Sequence, residues 1–290
     1  MFATSRLRAW VDLLRVHQYT KNVLLFVPLL FAKRWDLLFE GSVAFLLWSL
    51  AASAVYAMND AKDYAKDRLH PRKKLRPVAA GLIPPQEAYF LAAVLALFSL
   101  VGAFTLGALF GFLLCLYILN NLLYTFWLKD LPLWDVFSIA AGFLLRIYGG
   151  AALGSIPVSG YLFMTIFFLS LFLALGKRRH ELLLYAENVE EGRRSLKGYS
   201  VYYLDQLMVI SATLTLIVYM LYLMHTSFRW LMATLPIVVM GIFRYYHLTH
   251  NRGAGEPSRD LFADPFLIVL GGAYILLALL EMLGIPWIWF

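Results

Sequence analysis

Apolar residues occur in long, almost uninterrupted runs along this chain, and short polar segments separate the runs. Stretches of about 18 or more apolar residues are typical of helices that cross a membrane. The run nearest the N-terminus is the weakest, because only VLLFVPLLFA is continuously apolar and two basic residues follow it. The pattern predicts an all-α integral membrane protein with nine transmembrane helices, near residues 21–38, 40–58, 86–105, 108–127, 131–153, 157–176, 206–224, 229–248 and 265–288.

The composition agrees with a membrane protein and excludes an ordinary soluble domain. Of the 290 residues 61% are hydrophobic, the mean hydropathy is +0.71 and only 15% are charged, whereas soluble domains carry about 25% charged residues. The N-terminus shows no apolar segment followed by a small-residue cleavage site, so we expect no removable signal peptide. We see no internal repeat or linker, and we predict a single transmembrane domain over residues 1–290.

The basic residues are distributed unequally between the two sets of polar segments that nine spans would create. The N-terminal segment and the segments near 59–85, 128–130, 177–205 and 244–260 contain 21 of the 25 Lys and Arg residues. Because Lys and Arg accumulate on the cytoplasmic side, we predict a cell (inner) membrane protein whose N-terminus and long polar loops are cytoplasmic. The net charge of +7 favours anionic lipids and phosphorylated substrates as partners, and we expect no nucleic acid.

The segment after the second predicted span, NDAKDYAKD, places three carboxylates and one amide at helical spacing. If the helix continues past Met58, residues three and four apart share one face, and an oxygen-rich stripe forms at its cytoplasmic end. Such hard ligands suit Mg²⁺, which uses one or two carboxylates together with phosphates and water. The alternative is a solvated helix end in which Lys62, Lys66 and Arg68 neutralise the carboxylates. The stripe consists of Asn59, Asp60, Asp63 and Asp67.

A cluster of cations follows directly, in the sequence RLHPRKKLRPVAAG. The pairs His70-Pro71 and Arg76-Pro77 each predict the end of a helix, since proline does not continue one. Basic residues after a membrane helix are usually topology signals, but here they adjoin a metal-binding pattern. Carboxylates for a metal and cations for phosphate oxygens are together what a phosphoester or diphosphate requires. The cations are Arg72, Lys73, Lys74 and Arg76.

The stretch NDAKDYAKDRLHPRKKLRPVAAG resembles the first signature motif of the UbiA-type prenyltransferase superfamily, with an Asn-Asp pair, two spaced aspartates and a basic Arg-Pro segment. The resemblance implies a nine-helix intramembrane enzyme with an active-site cleft that opens to the cytoplasm, and Mg²⁺ as the cofactor. We expect Asn59, Asp63 and Asp67 to bind the metal and Asp60, Asp63 and Asp67 to be the catalytic carboxylates. For Asp60 and Asp67 three roles are open: to complete the metal shell, to hold its waters or to orient a ribose hydroxyl.

The second long polar loop departs from the superfamily members that transfer a prenyl group. Those members carry a second aspartate-rich motif after the sixth helix, whereas this chain has LGKRRHELLLYAENVEEGRRSLKGYS, without any aspartate. Lysine and arginine bind phosphate oxygens directly, and arginine does so bidentately, so two basic loops and one metal site fit two anionic substrates in one cleft. The alternative is a basic topology signal that lies on the membrane. The basic residues are Lys177, Arg178, Arg179, Arg193, Arg194 and Lys197.

Three further segments resemble decaprenyl-phosphate phosphoribosyltransferases of the same superfamily: LLRVHQYTKNVLLFVPLLFA, LKDLPLWDVFSIAAGFLLRIYGGA, and GKR with the later SLKGYS. The resemblance implies a polyprenyl-phosphate 5-phosphoribosyltransferase, which joins phosphoribosyl diphosphate to a polyprenyl (decaprenyl) phosphate and releases diphosphate, for arabinan and cell-wall precursor synthesis. The alternative is a Mg²⁺-dependent prenyltransferase that moves a prenyl group to an aromatic or other small acceptor. A homo-oligomer is left open.

Eight side chains are expected to bind the phosphorylated substrates. Arg146 stands out, because an arginine inside an apolar span is costly and usually functional, and it would hold the lipid phosphate or pair with Asp135. Lys21 either meets a phosphate or anchors the first span at the membrane interface. No general base is required, since a phosphomonoester is already ionised near neutral pH. The set is Lys21, Tyr64, Lys73, Arg76, Arg146, Lys177, Arg178 and Tyr199.

Overall fold

The computed structural model describes residues 2–69, 73–185, 194–226, 229–251, 260 and 263–285, and for residues 2–5 and 229 it describes the backbone alone. The predicted helix stop at His70-Pro71, the cation Arg72 and the cation Arg193 lie outside the described residues. Every regular element in the described part of the chain is an α-helix or a 3-10 helix, as the hydrophobic pattern predicts.

The described residues form eleven α-helices, numbered here in chain order. Eight helical elements in these ranges are long and apolar enough to cross a membrane, and the chain is a multi-pass membrane protein. The helices are α1 (Phe2–Leu14), α2 (Phe26–Phe31), α3 (Leu38–Leu69), α4 (Pro85–Leu106), α5 (Ala108–Phe126), α6 (Trp134–Leu153), α7 (Gly160–Leu184), α8 (Val201–His225), α9 (Arg229–Met232), α10 (Thr234–Asn251) and α11 (Pro265–Met282). The 3-10 helices are Val16–Leu25, Trp35–Leu37, Lys73–Leu75, Leu128–Asp130 and Arg194–Gly198.

Two of the membrane helices extend well beyond the ends that hydropathy predicts. Helix α3 continues past Met58 to Leu69, and α7 continues past Gly176 to Leu184. The extra residues are mainly Ala, Lys, Arg, Glu and Leu, which are strong helix formers. With 32 residues, α3 is about 48 Å long, whereas the apolar core of a bilayer is about 30 Å thick. The polar end of α3 is therefore long enough to project beyond the apolar layer.

The first predicted span, 21–38, is wrong as a continuous helix. Arg15 follows α1 with a left-handed backbone (φ 52°), and the next ten residues form the 3-10 helix Val16–Leu25 before the short α2. Runs of 3-10 helix longer than about four residues are uncommon. The sequence VHQYTKNVLL favours such a departure, because β-branched and short polar residues are weaker helix formers than Ala, Leu or Glu.

The segment 16–31 nevertheless runs the length of a membrane pass beside α3. Its contacts move toward the start of α3 as the segment advances, so the two run antiparallel. From a rise of about 2.0 Å per residue in a 3-10 helix and about 1.5 Å in an α-helix, the segment spans about 29 Å. The first predicted pass therefore exists in irregular form, and α1 and the C-terminal end of α3 lie at the same end. The contacts pair Arg15 with Asp60, Tyr19 with Ser53, Asn22 with Ser49, Phe26 with Phe45, and Leu29 with Gly41.

The chain divides into two compact units, each with its own core. The first unit comprises Met1–Trp127 and Leu145–Pro157, and the second comprises Leu128–Leu144 and Val158–Phe290. Helix α6 therefore contributes its first half to the second unit and its second half to the first. The single domain over residues 1–290 stays a prediction.

In the first unit, α6 approaches the irregular segment so closely that only glycine fits. A Cβ atom on Gly150 would lie 1.8 Å from the backbone oxygen of Leu25, and one on Gly149 would lie 2.5 Å from the Trp48 ring. A backbone oxygen cannot rotate away as a side chain can. The Gly-Gly pair of LLRIYGGA therefore permits the contact between α6 and the segment 16–31.

In the second unit, the core lies between α7, α8 and α10. Phe172 and Tyr245 contact each other edge to face, with ring centroids 5.4 Å apart, and both are buried.

Side-chain caps begin three of the helices, because the first backbone N–H groups of a helix need external acceptors. Ser159, Ser200 and Asp264 provide these acceptors for α7, α8 and α11.

Replacement of Gly150 by alanine is expected to destabilise the protein. The new Cβ would overlap the oxygen of Leu25, so the segment 16–31 has to move, and overpacking of this kind typically costs about 1–3 kcal/mol. The thermal midpoint of the detergent-purified protein measures the loss. Gly241→Ala in α10 is the matched control, because a Cβ there has no atom within 4 Å. Equal midpoints for the two variants would contradict the packing argument.

Candidate active site

The polar stripe at the end of α3 divides into two pairs of side chains. Asp60 and Asp67 lie seven residues apart on the same face, and both are buried, with 1% and 4% of their surface exposed. Asn59 and Asp63, one helical turn apart, are half-buried. The predicted continuation of the helix past Met58 is confirmed, so all four side chains project from one rigid element.

Two arginines from outside α3 bind the buried pair. Nη1 of Arg76 donates to Asp67 Oδ2 (2.7 Å) and to Asp60 Oδ1 (3.2 Å). Nη2 of Arg15 donates to the same oxygen of Asp60 (2.5 Å). Two guanidinium groups therefore balance two carboxylates. For these two aspartates the structure resembles the salt-bridged alternative, with the cations supplied by Arg15 and Arg76.

A tight turn carries Arg76 to these carboxylates. The backbone N–H of Ala80 donates to the carbonyl of Arg76 (2.8 Å), and Gly81 adopts φ +76°, a left-handed conformation that favours glycine. Val78 and Ile83 are buried in an apolar cluster with residues of α1, α3 and α4. The segment RPVAAG thus has a structural reason for its residues: glycine allows the turn, and the apolar residues anchor it beside α3.

The remaining oxygens of the stripe fit a hard divalent cation that has few protein ligands. Oδ2 of Asp60 is buried and has no hydrogen-bond partner among the described residues, and Asn59 and Asp63 carry further oxygens on the same part of α3. Among the residues that the structure describes, no three His, Cys, Asp or Glu side chains are grouped to hold a metal. Mg²⁺ does not require such a group, because it binds through one or two carboxylates, substrate phosphates and water. Asp67, the third predicted ligand, accepts a hydrogen bond from Arg76 instead.

Three of the predicted phosphate ligands in the first unit, Lys21, Tyr64 and Lys73, are half-buried. Lys21 belongs to the irregular segment and precedes the buried Asn22. Lys73 begins the short 3-10 helix before Arg76. Tyr64 packs into the apolar cluster that anchors the RPVAAG turn, and the guanidinium of Arg68 lies 5.4 Å from its ring centre.

Arg146 is buried within the first unit, where it contacts neutral polar groups. Its Nε donates to Asn22 Oδ1 (2.7 Å), and its Nη2 donates to the Tyr117 hydroxyl (3.0 Å). Asn22 in turn donates to Ser49 of α3 (2.9 Å). The predicted alternative, a pair with Asp135, is not among these contacts, and Asp135 binds Arg178. Arg146 therefore joins α6 to the irregular segment that carries Lys21.

The first three basic residues after the sixth predicted span, Lys177, Arg178 and Arg179, lie in the last turns of α7, not in a loop. Lys177 is half-buried, whereas Arg178 is fully buried. Nε of Arg178 donates to Asp135 Oδ2 (2.6 Å), and its Nη1 donates to Glu181 Oε2 (2.5 Å). Arg179 is also buried and binds Asp205 (2.6 Å). The contact of Arg178 with substrate phosphate stays a prediction, and in the structure this guanidinium is enclosed with two carboxylates.

Tyr199 has a similar internal role. Its hydroxyl donates to Asp135 Oδ1 (2.7 Å) and accepts from the backbone N–H of Leu133 (2.6 Å). Burial, and next the charge of Asp135, raise the pKa of the Tyr199 phenol, so the hydroxyl stays protonated and able to donate. A phosphate contact from Tyr199, as predicted, would require it to give up one of these bonds.

Sequence reasoning missed several residues that hold these groups in place. Arg15, Asn22, Tyr117 and Ser195 contact predicted site residues or Asp135, and none of them was a candidate. One signal was present, because a polar residue inside an apolar span needs a partner. Asn22 and Asp135 meet that description. Their partners lie up to 124 residues away in the chain, so spacing alone does not identify them.

The helices and the charged end of α3 define a polytopic helical membrane protein with an acidic and basic site at one end of its third helix. Residues 23–270 match the sequence profile of the UbiA prenyltransferase family. This match covers most of the chain, which therefore belongs to that family of membrane transferases.

Curated relatives and solved structures agree with this assignment. Decaprenyl-phosphate phosphoribosyltransferase of Mycolicibacterium smegmatis is 34% identical over 284 residues, which cover 91% of this chain and 89% of the relative. The protein of the same name from Mycobacterium tuberculosis H37Rv is 34% identical and covers 91% of each chain. A UbiA homolog from Archaeoglobus fulgidus bound to GPP and Mg²⁺ superposes with a TM-score of 0.71 over 95% of this chain and 98% of its own, at 18% identity. That last likeness shows the shared fold.

Arg76→Ala is expected to destabilise the protein, because it removes the cation shared by Asp60 and Asp67. Removal of one partner from a buried ion pair costs roughly 3–5 kcal/mol. Since the Arg76 side chain is 25% exposed, we expect a smaller loss, about 2 kcal/mol.

The thermal midpoint without divalent metal measures this loss. Lys74→Ala is the control, because Lys74 is an exposed cation of the same loop and exposed substitutions usually change stability by less than about 0.5 kcal/mol. If both variants had the thermal midpoint of the wild type, the ion pairs of Arg76 would contribute nothing to stability.

Proposed function

We propose that the protein transfers a 5-phosphoribosyl group from phosphoribosyl diphosphate to a polyprenyl phosphate and releases diphosphate. The observation that carries the proposal is the similarity to decaprenyl-phosphate phosphoribosyltransferases, which extends over 91% of this chain. The half-buried Lys177 at the end of α7 supports the same reaction, because lysine binds phosphate oxygens without an intervening metal.

In the proposed reaction an oxygen of the lipid phosphate attacks the anomeric carbon of the ribose. The bond from that carbon to the diphosphate oxygen breaks, and diphosphate leaves with the electron pair. The attacking phosphomonoester is already ionised near neutral pH, so no side chain has to remove a proton. The main demand on the protein is to neutralise the negative charge that grows on the leaving group.

The residues at the end of α3 fit the metal that such a leaving group needs. Asn59, Asp63 and Oδ2 of Asp60 would hold Mg²⁺, which supplies Lewis-acid neutralisation of the diphosphate charge when it is bound. Asp67 is proposed to act through Arg76, which holds it beside Asp60. Arg76 has five N–H donors, so it is able to retain its bonds to Asp60 and Asp67 and to donate to a phosphate oxygen at the same time.

Lysines are the other proposed phosphate ligands. Lys21, Lys73 and Lys177 are each half-buried, a position that lowers the competition from water without removing the charge from the surface. Tyr64 is proposed to donate a hydrogen bond to the same groups. Arg146 is proposed to act indirectly, because its bond to Asn22 fixes the segment that carries Lys21.

We propose that the protein lies in the cell (inner) membrane with α1 and the polar end of α3 in the cytoplasm. The excess of Lys and Arg in the N-terminal, 59–85 and 177–205 segments supports this orientation. The bond between Arg15 and Asp60 supports it further, since it joins the end of α1 to the polar end of α3.

Prenyl transfer from a prenyl diphosphate to an aromatic or other small acceptor is the second candidate function. The observation that favours it is membership of the UbiA prenyltransferase family. Both candidates use a diphosphate leaving group, so both are compatible with the residues at the end of α3. They differ in the group transferred and in the acceptor.

A direct assay separates these two functions. Purified protein is incubated with Mg²⁺, labelled phosphoribosyl diphosphate and polyprenyl phosphate, and the label is followed into the lipid fraction. We expect a labelled lipid whose formation stops when the metal is chelated. Product formed only from prenyl diphosphate and an aromatic acceptor would overturn the proposed function in favour of the second candidate.

Two substitutions test the proposed roles within that assay. Asp63→Ala is expected to abolish the Mg²⁺-dependent turnover and to leave folding and membrane insertion nearly unchanged, with Asp12→Ala in α1 as the exposed control. Normal turnover by the Asp63 variant would remove that residue from the site.

Lys177→Gln is expected to raise the KM for phosphoribosyl diphosphate about tenfold, the effect of a lost charged hydrogen bond. Lys33→Gln is the control.

A further inference from the structure

Asp135 is a fully buried carboxylate that accepts hydrogen bonds from two other segments of the chain. Its Oδ2 accepts from Arg178 Nε of α7 (2.6 Å) and from the Ser195 hydroxyl (3.1 Å). Its Oδ1 accepts from the Tyr199 hydroxyl (2.7 Å). Asp135 and Arg178 have no exposed surface. These donors belong to GKRRHEL and SLKGYS, and Asp135 belongs to LPLWDV, so three separate sequence motifs meet at one buried group.

The same cluster fixes the segment Arg194–Gly198 against the start of α6. The Tyr199 hydroxyl accepts from the backbone N–H of Leu133, and this bond is additional to the one that Tyr199 donates to Asp135. Gly198 lies so close to Pro132 that an added Cβ would come within 2.3 Å of the proline ring. Ser195 is buried as well. The segment is therefore held by polar bonds at both of its ends and by close packing between them.

This arrangement separates internal cations from outer ones. Arg178 is neutralised inside the protein by Asp135 and Glu181. Lys177 precedes it by one residue, which is about 100° around the helix, so the buried Arg178 also fixes the direction in which Lys177 projects. Arg194 and Lys197 are exposed on the clamped segment. One buried carboxylate thus contacts the two segments that carry these three cations of the second unit.

We infer that Asp135 is a positioning residue for phosphate binding, which acts through Arg178, Ser195 and Tyr199 to place Lys177, Arg194 and Lys197. The inference rests on the proposed function, because it assumes that these cations bind the diphosphate or phosphate groups of a substrate. In this inference Asp135 itself does not contact the substrate. It also explains why Arg178 and Tyr199 carry donor groups that are directed inward.

Tyr199→Phe is a better test than Asp135→Asn. Loss of the buried charge leaves Arg178 without its main partner and risks a protein that does not fold. Phenylalanine keeps the ring and removes only the hydroxyl that joins Asp135 to Leu133. Tyr203→Phe is the matched control. Tyr203 lies in the first turn of α8 and is 39% exposed, and the centroid of its ring lies 6.3 Å from that of Tyr199.

The measurements use the full-length, detergent-purified chain. Binding of inorganic diphosphate at a fixed Mg²⁺ concentration is measured by calorimetry, and the steady-state constants for phosphoribosyl diphosphate and polyprenyl phosphate are measured in parallel. We expect Tyr199→Phe to weaken diphosphate binding and to raise the KM for phosphoribosyl diphosphate about fivefold, the effect of one hydrogen bond. The kcat and the KM for polyprenyl phosphate should stay close to those of Tyr203→Phe.

A merely structural role of the cluster predicts a different result. Tyr199→Phe would then lower the thermal midpoint while its diphosphate affinity equalled that of Tyr203→Phe, and this result would overturn the inference. Absence of diphosphate binding by the wild type would overturn it as well. If the wild type bound diphosphate but transferred nothing from phosphoribosyl diphosphate, the proposed function would fail. The affinity difference between the two variants would still decide the inference about Asp135.

Discussion

The structure depends on one constraint, which is that a carboxylate withdrawn from water needs a cation or hydrogen-bond donors close by. In the first unit this requirement joins Asp60 and Asp67 of α3 to Arg15 and Arg76. In the second unit it joins Asp135 to Arg178. The pairs of Arg15 and Arg76 bring connecting segments onto the end of α3, and the pair of Asp135 with Arg178 joins the start of α6 to the end of α7. The polar ends of the membrane helices are ordered by these internal bonds.

The same constraint divides the basic residues into two groups with different tasks. Arg76 and Arg178 contact carboxylates inside the protein, whereas lysines such as Lys177 and Lys197 lie at least partly at the surface. Arginine suits the internal task because its planar guanidinium makes several directed hydrogen bonds, and lysine provides a compact charge on a flexible chain. The basic segments that contain Arg76 and Arg178 therefore combine internal ion pairs with cations at the surface.

The irregular first pass follows the same constraint, because its buried neutral polar groups also need hydrogen-bond partners. Its polar side chains bind Ser49 and Ser53 of α3, and Asn22 receives a bond from Arg146. The glycine pair of α6 allows the backbone of this segment to approach. A regular helix here would direct its polar groups differently around the axis, and the position of Lys21 would change with them. Fold and site are thus coupled through a segment that hydropathy alone describes incompletely.

The sequence by itself determined the membrane class, eight of the nine helical spans, the polar stripe on α3 and the family, because these follow from composition, local periodicity and short contiguous motifs. The irregular form of the first pass and the inward direction of Arg178 and Tyr199 were decided only by the tertiary structure. The physical reason is that both depend on partners far away in the chain, such as Ser49 for Asn22 and Asp135 for Arg178. A basic residue has the same local pattern whether its partner is a buried carboxylate or a substrate phosphate, and the packing of distant segments decides between the two.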